Sequence, residues 1–399
     1  MGDRSWITRG VAGIVLATFL SDVSHEMSTA VLPLYLAGLG LGPAALGLME
    51  GIADFLVSIS KLAGGAVGHR VRRKKPWATL GYLVTVLATG AMALVNGLGA
   101  LVSLRGSAWF GRGFRGPLRD YLLGDAVEPT HFGRAYGLER AGDMLGAVAG
   151  PLLATLLIWA GTPFRAVILW TLAPGLLAAA ALFFLATERE SQPAAGGEGH
   201  GFRATLPRRF WVFLIGVFLY GLGDFSRTFL IWLAARALGE DSGAMTASFS
   251  LAVLLYTLHN LVSAAAAYPV GRLGDRWPKL PILVAGYGMG VGTNLILAFF
   301  SGSVKWLAGA TALSGVYIAV EETLEKAVVA DLLPRELRSL GFGILAFANS
   351  AGDMVSSLYV GHLLEANRPG RAFGIAALFG LVGVGWMAAT SRRGRRRQS

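Results

Sequence analysis

The chain has no cysteine among its 399 residues and little charge, with Asp, Glu, Lys and Arg together making up 15%. The first absence excludes a disulfide framework, a thiol nucleophile and any thiolate-held metal or cluster. The second excludes an ordinary soluble enzyme, because soluble domains carry roughly 25% charged residues spread over their surfaces. Also missing are a phosphate-binding loop, an HExxH pair, a GxSxG elbow and any period-two alternation of strands. Nothing in the chain calls for a metal or a cofactor, and no enzyme activity is expected.

Apolar length is what the chain has. Apolar side chains make up 54% of it, the mean hydropathy is +0.56, and the 55 glycines are set singly within long apolar runs. Such glycines suit membrane helices that pack through small residues. Stretches long enough to cross a bilayer occur at 9–38, 44–68, 76–96, 99–122, 133–158, 164–186, 210–237, 246–270, 280–300, 304–331, 340–364 and 372–390. Lipid offers backbone groups no hydrogen-bonding partner, so all twelve are expected to be helices in an all-α membrane protein. Asp22 follows the first apolar stretch with no small-residue cleavage site, so the start reads as a first span and not as a signal peptide.

The net charge of +11 is distributed by loop. Alternate connections hold Arg70, Arg72, Arg73, Lys74 and Lys75, then Arg189, Arg203, Arg208 and Arg209, then Arg272, Arg276 and Lys279, then Arg335 and Arg338, while Gly38–Pro43 and Asn96–Gly99 hold none. The bias of basic residues toward one side predicts that both termini and the longest polar segment, 187–209, lie in the cytoplasm, with the protein in the cytoplasmic (inner) membrane. It also accounts for the basic composition without nucleic acid. Trp6, Trp77, Trp159, Trp211, Trp277 and Trp306 fall at span ends, where headgroups suit an amphipathic ring, and only Trp109 falls deep inside.

The polar segment divides the chain into 1–186, a linker over 187–209, and 210–399, each long part holding six spans. The two parts repeat. Asp22-Val23-Ser24 is echoed by Asp224-Phe225-Ser226, Gly65-x3-His69-Arg70 by Gly271-x3-Asp275-Arg276, Asp125 by Asp331, and Ala-Gly-Asp-Met occurs at 141–144 and 351–354. Recurrence in chain order indicates a duplicated six-helix unit.

Twelve spans as six plus six, with basic loops after spans 2 and 8, resemble the major facilitator superfamily over nearly the whole chain. The family's loop pattern, Gly-x3-Asp-Arg-x-Gly-Arg-Lys, is similar to Gly65–Lys75, except that His69 replaces the aspartate and Arg72 the glycine. The second copy keeps Asp275 and Arg276. Gly137-x8-Gly146-x3-Gly150-Pro151 is similar to the antiporter motif of the family's proton-driven exporters, with Ala154-Thr155 at its closing glycines, and Arg105-x5-Gly111-x-Gly113 to the arginine motif of the fourth helix. The resemblance implies a secondary transporter working by alternating access on a small molecule. It favours export in exchange for protons, with gating by Gly65, His69, Arg70, Asp275, Arg276, Gly146, Gly150 and Pro151.

Charges at membrane depth are costly and face a cavity or a partner. Asp22, His25 and Glu26 lie half-way along span 1, and Asp22 and Glu26 are i,i+4 neighbours. That pair, with Asp143 next, is the candidate for proton coupling; a structural partnership with span 4 is the other reading. Arg105, Arg112, Arg115 and Arg119 share a face of span 4, the first two being the deeper. His25, Asp54, Arg105, Arg112, Arg115, Asp224, Arg227, Asn349 and Asp353 are the candidates for a substrate cavity. Arg119 and Asp120 read as an end network, and Glu322 with Lys326 as a local pair. An anionic metabolite taken up or exchanged is the alternative to export; a receptor or scaffold without transport is the alternative of another class. His25, His259 and His362 lie on separate spans and suggest no hydrolase centre. A monomer is expected.

Overall fold

A computed structural model describes residues 6–41, 43–188, 206–225, 229, 233 and 242–395. Among them there is no strand. The first half is built of α1 (Arg9–Gly38), α2 (Pro43–Arg70), α3 (Lys75–Ala91), α4 (Leu98–Asp125), α5 (Phe132–Trp159), and α6 (Phe164–Trp170) with α7 (Leu172–Leu185), which together make the sixth span. The second half begins with α8 (Arg208–Gly221) and continues with α9 (Ser242–Arg276), α10 (Lys279–Phe300), α11 (Val304–Leu332), α12 (Arg338–Glu365) and α13 (Pro369–Arg395). The protein is an all-helical membrane protein of twelve spans in two pseudo-symmetric six-helix bundles.

Composition decides which helices meet lipid. The third, sixth, ninth and twelfth spans, at Lys75–Leu94, Phe164–Leu185, Lys279–Phe300 and Pro369–Thr390, are among the five with a long apolar window almost free of charge. They expose side chains such as Leu87, Phe184, Phe299 and Leu378. The helices that carry midspan charge, α1, α4 and α11, turn it inward. Trp77, Trp159, Trp277 and Trp306 are exposed at span ends as expected, but Trp6 is 6% exposed. It stacks on His131 and Tyr268 beneath the Arg134 guanidinium, so here the indole fills space between the halves and does not sit among headgroups.

The halves join chiefly through α2 against α12 and α5 against α9. Both seams need small residues. A Cβ on Gly65 or Gly343 would lie 2.8 Å from the Cα of the other, so only glycine allows this approach. Gly133 and Gly271 meet in the same way, backbone on backbone. Among the described residues, the ion pairs that cross between the halves lie toward the end of the bundle that carries the linker. Arg335 grips Asp125 with two nitrogens, the second at 2.7 Å. Lys326 reaches Glu139 at 3.4 Å and Asp120 at 3.7 Å. The bundle is closed at the linker end.

Helix ends fix the register of the repeat. α4 and α11 begin at Leu98 and Val304, α5 and α12 at Phe132 and Arg338, so both pairs are offset by 206 residues. Asp143 therefore corresponds to Asn349, and the recurrence of Ala-Gly-Asp-Met lies four residues out of structural register. Gly146 packs on Asp22, whereas its counterpart Gly352 packs on Gly221, so Asp224 falls nearly one turn beyond the position of Asp22. Both short echoes arise from composition.

Candidate coupling site

α1 can lie against α5 because α5 has no side chains in the way. A Cβ on Gly146 would come 2.6 Å from the Phe19 carbonyl and 2.8 Å from Cβ of Asp22, and one on Gly150 would come 2.7 Å from Cβ of Glu26. The antiporter-like spacing of these glycines thus has a direct consequence: it seats the acidic stretch of α1 on α5. Pro151 follows as the break in the donor ladder.

At that seam the carboxyl groups of Asp22 and Asp143 are close enough to bear on each other's charge. Arg112 of α4 binds Asp22 at 2.6 Å, and Arg140 binds Asp143 at 2.6 Å. Asp22 is thirteen residues into α1, about 20 Å from its start and close to half-depth. The fold gives Asp22 an ion-pair partner on α4, Arg112, and sets Glu26 half-buried against Gly150. The close approach of α1 and α5 adds Asp143 to the surroundings of Asp22, which helical spacing alone does not show.

The arginine stripe of α4 divides between two tasks. Arg105 and Arg112 lie on either side of Trp109, 5.4 and 6.0 Å from its ring, and His25 meets the same ring edge-on at 4.8 Å. Arg105 is fully buried, 3.4 Å from Thr29. Arg115 is withdrawn altogether: it donates to Ser21 at 2.5 Å and lies 3.7 Å over the Tyr82 ring, packed among α1, α3 and α4. Arg119 joins Asp120 and Glu139, each at 2.9 Å, in the end network. Trp109 is the residue the sequence reading passed over as a site candidate; its indole N–H is buried with no hydrogen-bond acceptor among the described residues. An aromatic deep in a charged helix was the available signal.

From the second half, Asp353 and Glu322 approach Lys61 of α2, whose ammonium donates to Ser350 at 2.7 Å. Arg140 also reaches Glu322 at 3.8 Å, and Lys326 reaches it at 3.9 Å, so the local pair is part of a relay between the halves. Asn349 turns away to Glu325, 2.7 Å off. Asp224 accepts from the Tyr317 hydroxyl. Arg227 and the side chain of Asp54 lie outside the described residues.

The two copies of the loop pattern behave differently. Asp275 accepts from the backbone N–H groups of Gly133 at 2.7 Å and Arg134 at 3.0 Å, and from Nε of Arg134 at 2.9 Å. It thereby caps the start of α5 and ties the halves together, as a carboxylate at a helix N-terminus should. His69 has only a 3.2 Å contact with the Glu336 carbonyl. Arg70 and Arg276 are exposed.

The family model of the Major Facilitator Superfamily matches residues 14–255 and 213–399. The chain belongs to this superfamily. It is 27% identical over 365 residues to an uncharacterised MFS-type transporter of Methanocaldococcus jannaschii, covering 90% of this chain and 89% of that one. Its fold matches a bacterial homologue of the iron transporter ferroportin in an outward-facing state, with TM-score 0.76 at 15% identity over 96% of this chain and 99% of the other. The fucose:proton symporter of E. coli matches with TM-score 0.74, also at 15% identity over 96% and 99%. The protein is a membrane transporter of the superfamily and not an enzyme; a small-molecule substrate follows from the family.

Proposed function

We propose that this superfamily transporter exports a small molecule in exchange for protons, and that the Asp22–Asp143 pair carries the coupling proton. The observation that carries the reading is the approach of α1 to α5 at Gly146, which sets two half-depth carboxyls near one another, each bound by an arginine at 2.6 Å. Two neighbouring carboxyls hold one proton more readily than two charges; loss of that proton sets like charges near one another. The pair then separates, and Arg112 and Arg140 are the cations that receive the freed charge. Because α1 and α5 meet here and α5 also forms the seam with α9, protonation is coupled to rocking of 1–186 against 210–399 about the linker. With both termini and the linker in the cytoplasm of a cell whose inner membrane holds the protein as a monomer, closure at the linker end is an outward-facing state. Export is favoured by the antiporter-like glycines of α5. The arginines around Trp109 support a second reading, exchange or uptake of an anionic metabolite.

Flux in proteoliposomes under an imposed pH gradient tests both. A proton gradient that drives substrate against the proton flow supports export by antiport. Substrate moving with the protons selects uptake, and flux indifferent to the gradient removes proton coupling.

A further inference from the structure

The two halves finish differently at the linker end of the bundle. In the first half the start of α1 packs on the end of α7, where a Cβ on Gly13 would lie 3.1 Å from the Leu185 carbonyl carbon. Just past that end, Glu188 turns back onto the start of α3 and accepts from the backbone N–H groups of Lys74 and Lys75, the latter at 3.0 Å. The chain supplies this corner with its own carboxylate.

In the second half the corresponding corner is made by α8 and α13. A Cβ on Gly383 would lie 2.7 Å from Cα of Tyr220 and one on Gly216 2.8 Å from Cγ of Met387, and the Trp386 indole donates to the Val212 carbonyl at 2.9 Å. The two helices therefore run antiparallel in close contact. Followed in that register, the first residues of α8, Arg208 and Arg209, come level with the last of α13, Gly394 and Arg395. The apolar window of α13 ends at Thr390, and the helix runs on through Arg392, Arg393 and Arg395. Arg392 and Arg393 stand two turns beyond Gly385 and Trp386, which are exposed. Arg208 and Arg209 are exposed as well. The backbone thus gathers five arginines at the depth where apolar side chains give way to water.

Local sources of negative charge fall short of them. The dipole of α13 is equivalent to about half a negative charge at its end, and that of α8 has the wrong sign for Arg208 and Arg209. No Asp or Glu follows Glu365 in the chain, and Glu190 and Glu198 of the linker are matched there by Arg189 and Arg203. Asp331 is held by Lys279 at 2.7 Å. We propose that the corner of α8 and α13 binds the phosphate of an anionic phospholipid, in the leaflet that meets the linker end of the bundle. The headgroup is then the external counterpart of the carboxylate that Glu188 supplies in the first half. Position selects a lipid as the occupant. Trp386 is exposed at headgroup depth, and Leu378, Leu381 and Val382 continue its face of α13 as an open apolar surface for acyl chains. Arginine forks suit phosphate oxygens. None of the residues of the coupling reading takes part, so the inference is independent of what is carried and in which direction.

Native mass spectrometry of the purified full chain in detergent, titrated with phosphatidylglycerol or with phosphatidylcholine, reads the binding directly. The expected result is tighter binding of phosphatidylglycerol, weakened about fivefold or more by Arg208→Gln with Arg209→Gln and again by Arg392→Gln with Arg393→Gln, while phosphatidylcholine is unaffected. Arg70→Gln, Arg72→Gln and Arg73→Gln together remove more charge from the first half and should leave the preference nearly unchanged. An equal loss there would show only the general attraction of a basic protein and overturns the proposal. Equal binding of the two lipids by the unaltered chain overturns it too, as does a preference that survives all four substitutions in α8 and α13. If the glutamine variants do not fold, Trp386→Phe should remove the extra fluorescence quenching by headgroup-spin-labelled phosphatidylglycerol over its phosphatidylcholine analogue; no extra quenching in the unaltered chain overturns the proposal. Retention of a polyglutamate peptide by a chain that does not distinguish the lipids assigns the surface to an acidic protein and overturns it likewise.

Discussion

Asp143 on α5 is held at 2.6 Å by Arg140, three residues earlier on its own helix, on the seam where α5 meets the Asp22 turn of α1. A single side chain therefore links the seam within the first half to the relay that runs through Glu322 into the second.

Neutralising that side chain separates coupling from binding. Asp143→Asn keeps the shape but cannot release a proton. Uphill transport under a pH gradient should fall to background, while exchange of labelled for unlabelled substrate at equal concentration should continue. Uphill transport at wild-type rate would place the coupling proton elsewhere.

Arg112→Ala should destabilise the protein by about 3–5 kcal/mol, because Asp22, with 4% side-chain exposure, would be left as a buried charge. Adding Asp22→Asn should recover much of the loss. Thermal denaturation in detergent checks both, and additive losses in the double variant would show that the two residues are not energetically paired.

The halves should separate at the linker end when a side chain is forced between α2 and α12. In Gly343→Val the added carbon atoms would meet Gly65 and the Lys61 carbonyl. A cysteine replacing Ser350, placed in a chain with no other thiol, should then react faster with a soluble maleimide than in the Gly343 background. Equal rates would mean that the seam tolerates the valine.

Asp275→Ala should cost about 0.5–2 kcal/mol, the value of a helix cap, and should also raise that same labelling rate, because its partners lie on the other half. His69→Ala should change both measurements much less. A larger effect from His69 would reverse the assignment of the working latch to the second copy of the loop pattern.

A single cysteine at Ala195, within the linker, should resist an impermeant thiol reagent in intact cells and react once the membrane is permeabilised. Labelling from outside would overturn the orientation.

The sequence by itself determined the class, the twelve spans and the division into six and six, because a bilayer forces apolar length, helical hydrogen bonding and sorted basic loops onto any chain that crosses it. It also determined that charges such as Asp22 and Arg105 are buried, since both lie within long apolar runs. Tertiary structure decided who meets whom. The ion-pair partner of Asp22 came from α4, Arg115 went to Ser21 and the Tyr82 ring, and Trp6 went between the halves. Periodicity assigns a residue to a face of its own helix, but the distance to another helix is set by the size of the side chains between them. At Gly146, Gly150, Gly65 and Gly343 that size is zero, and the contacts across the bundle follow from it.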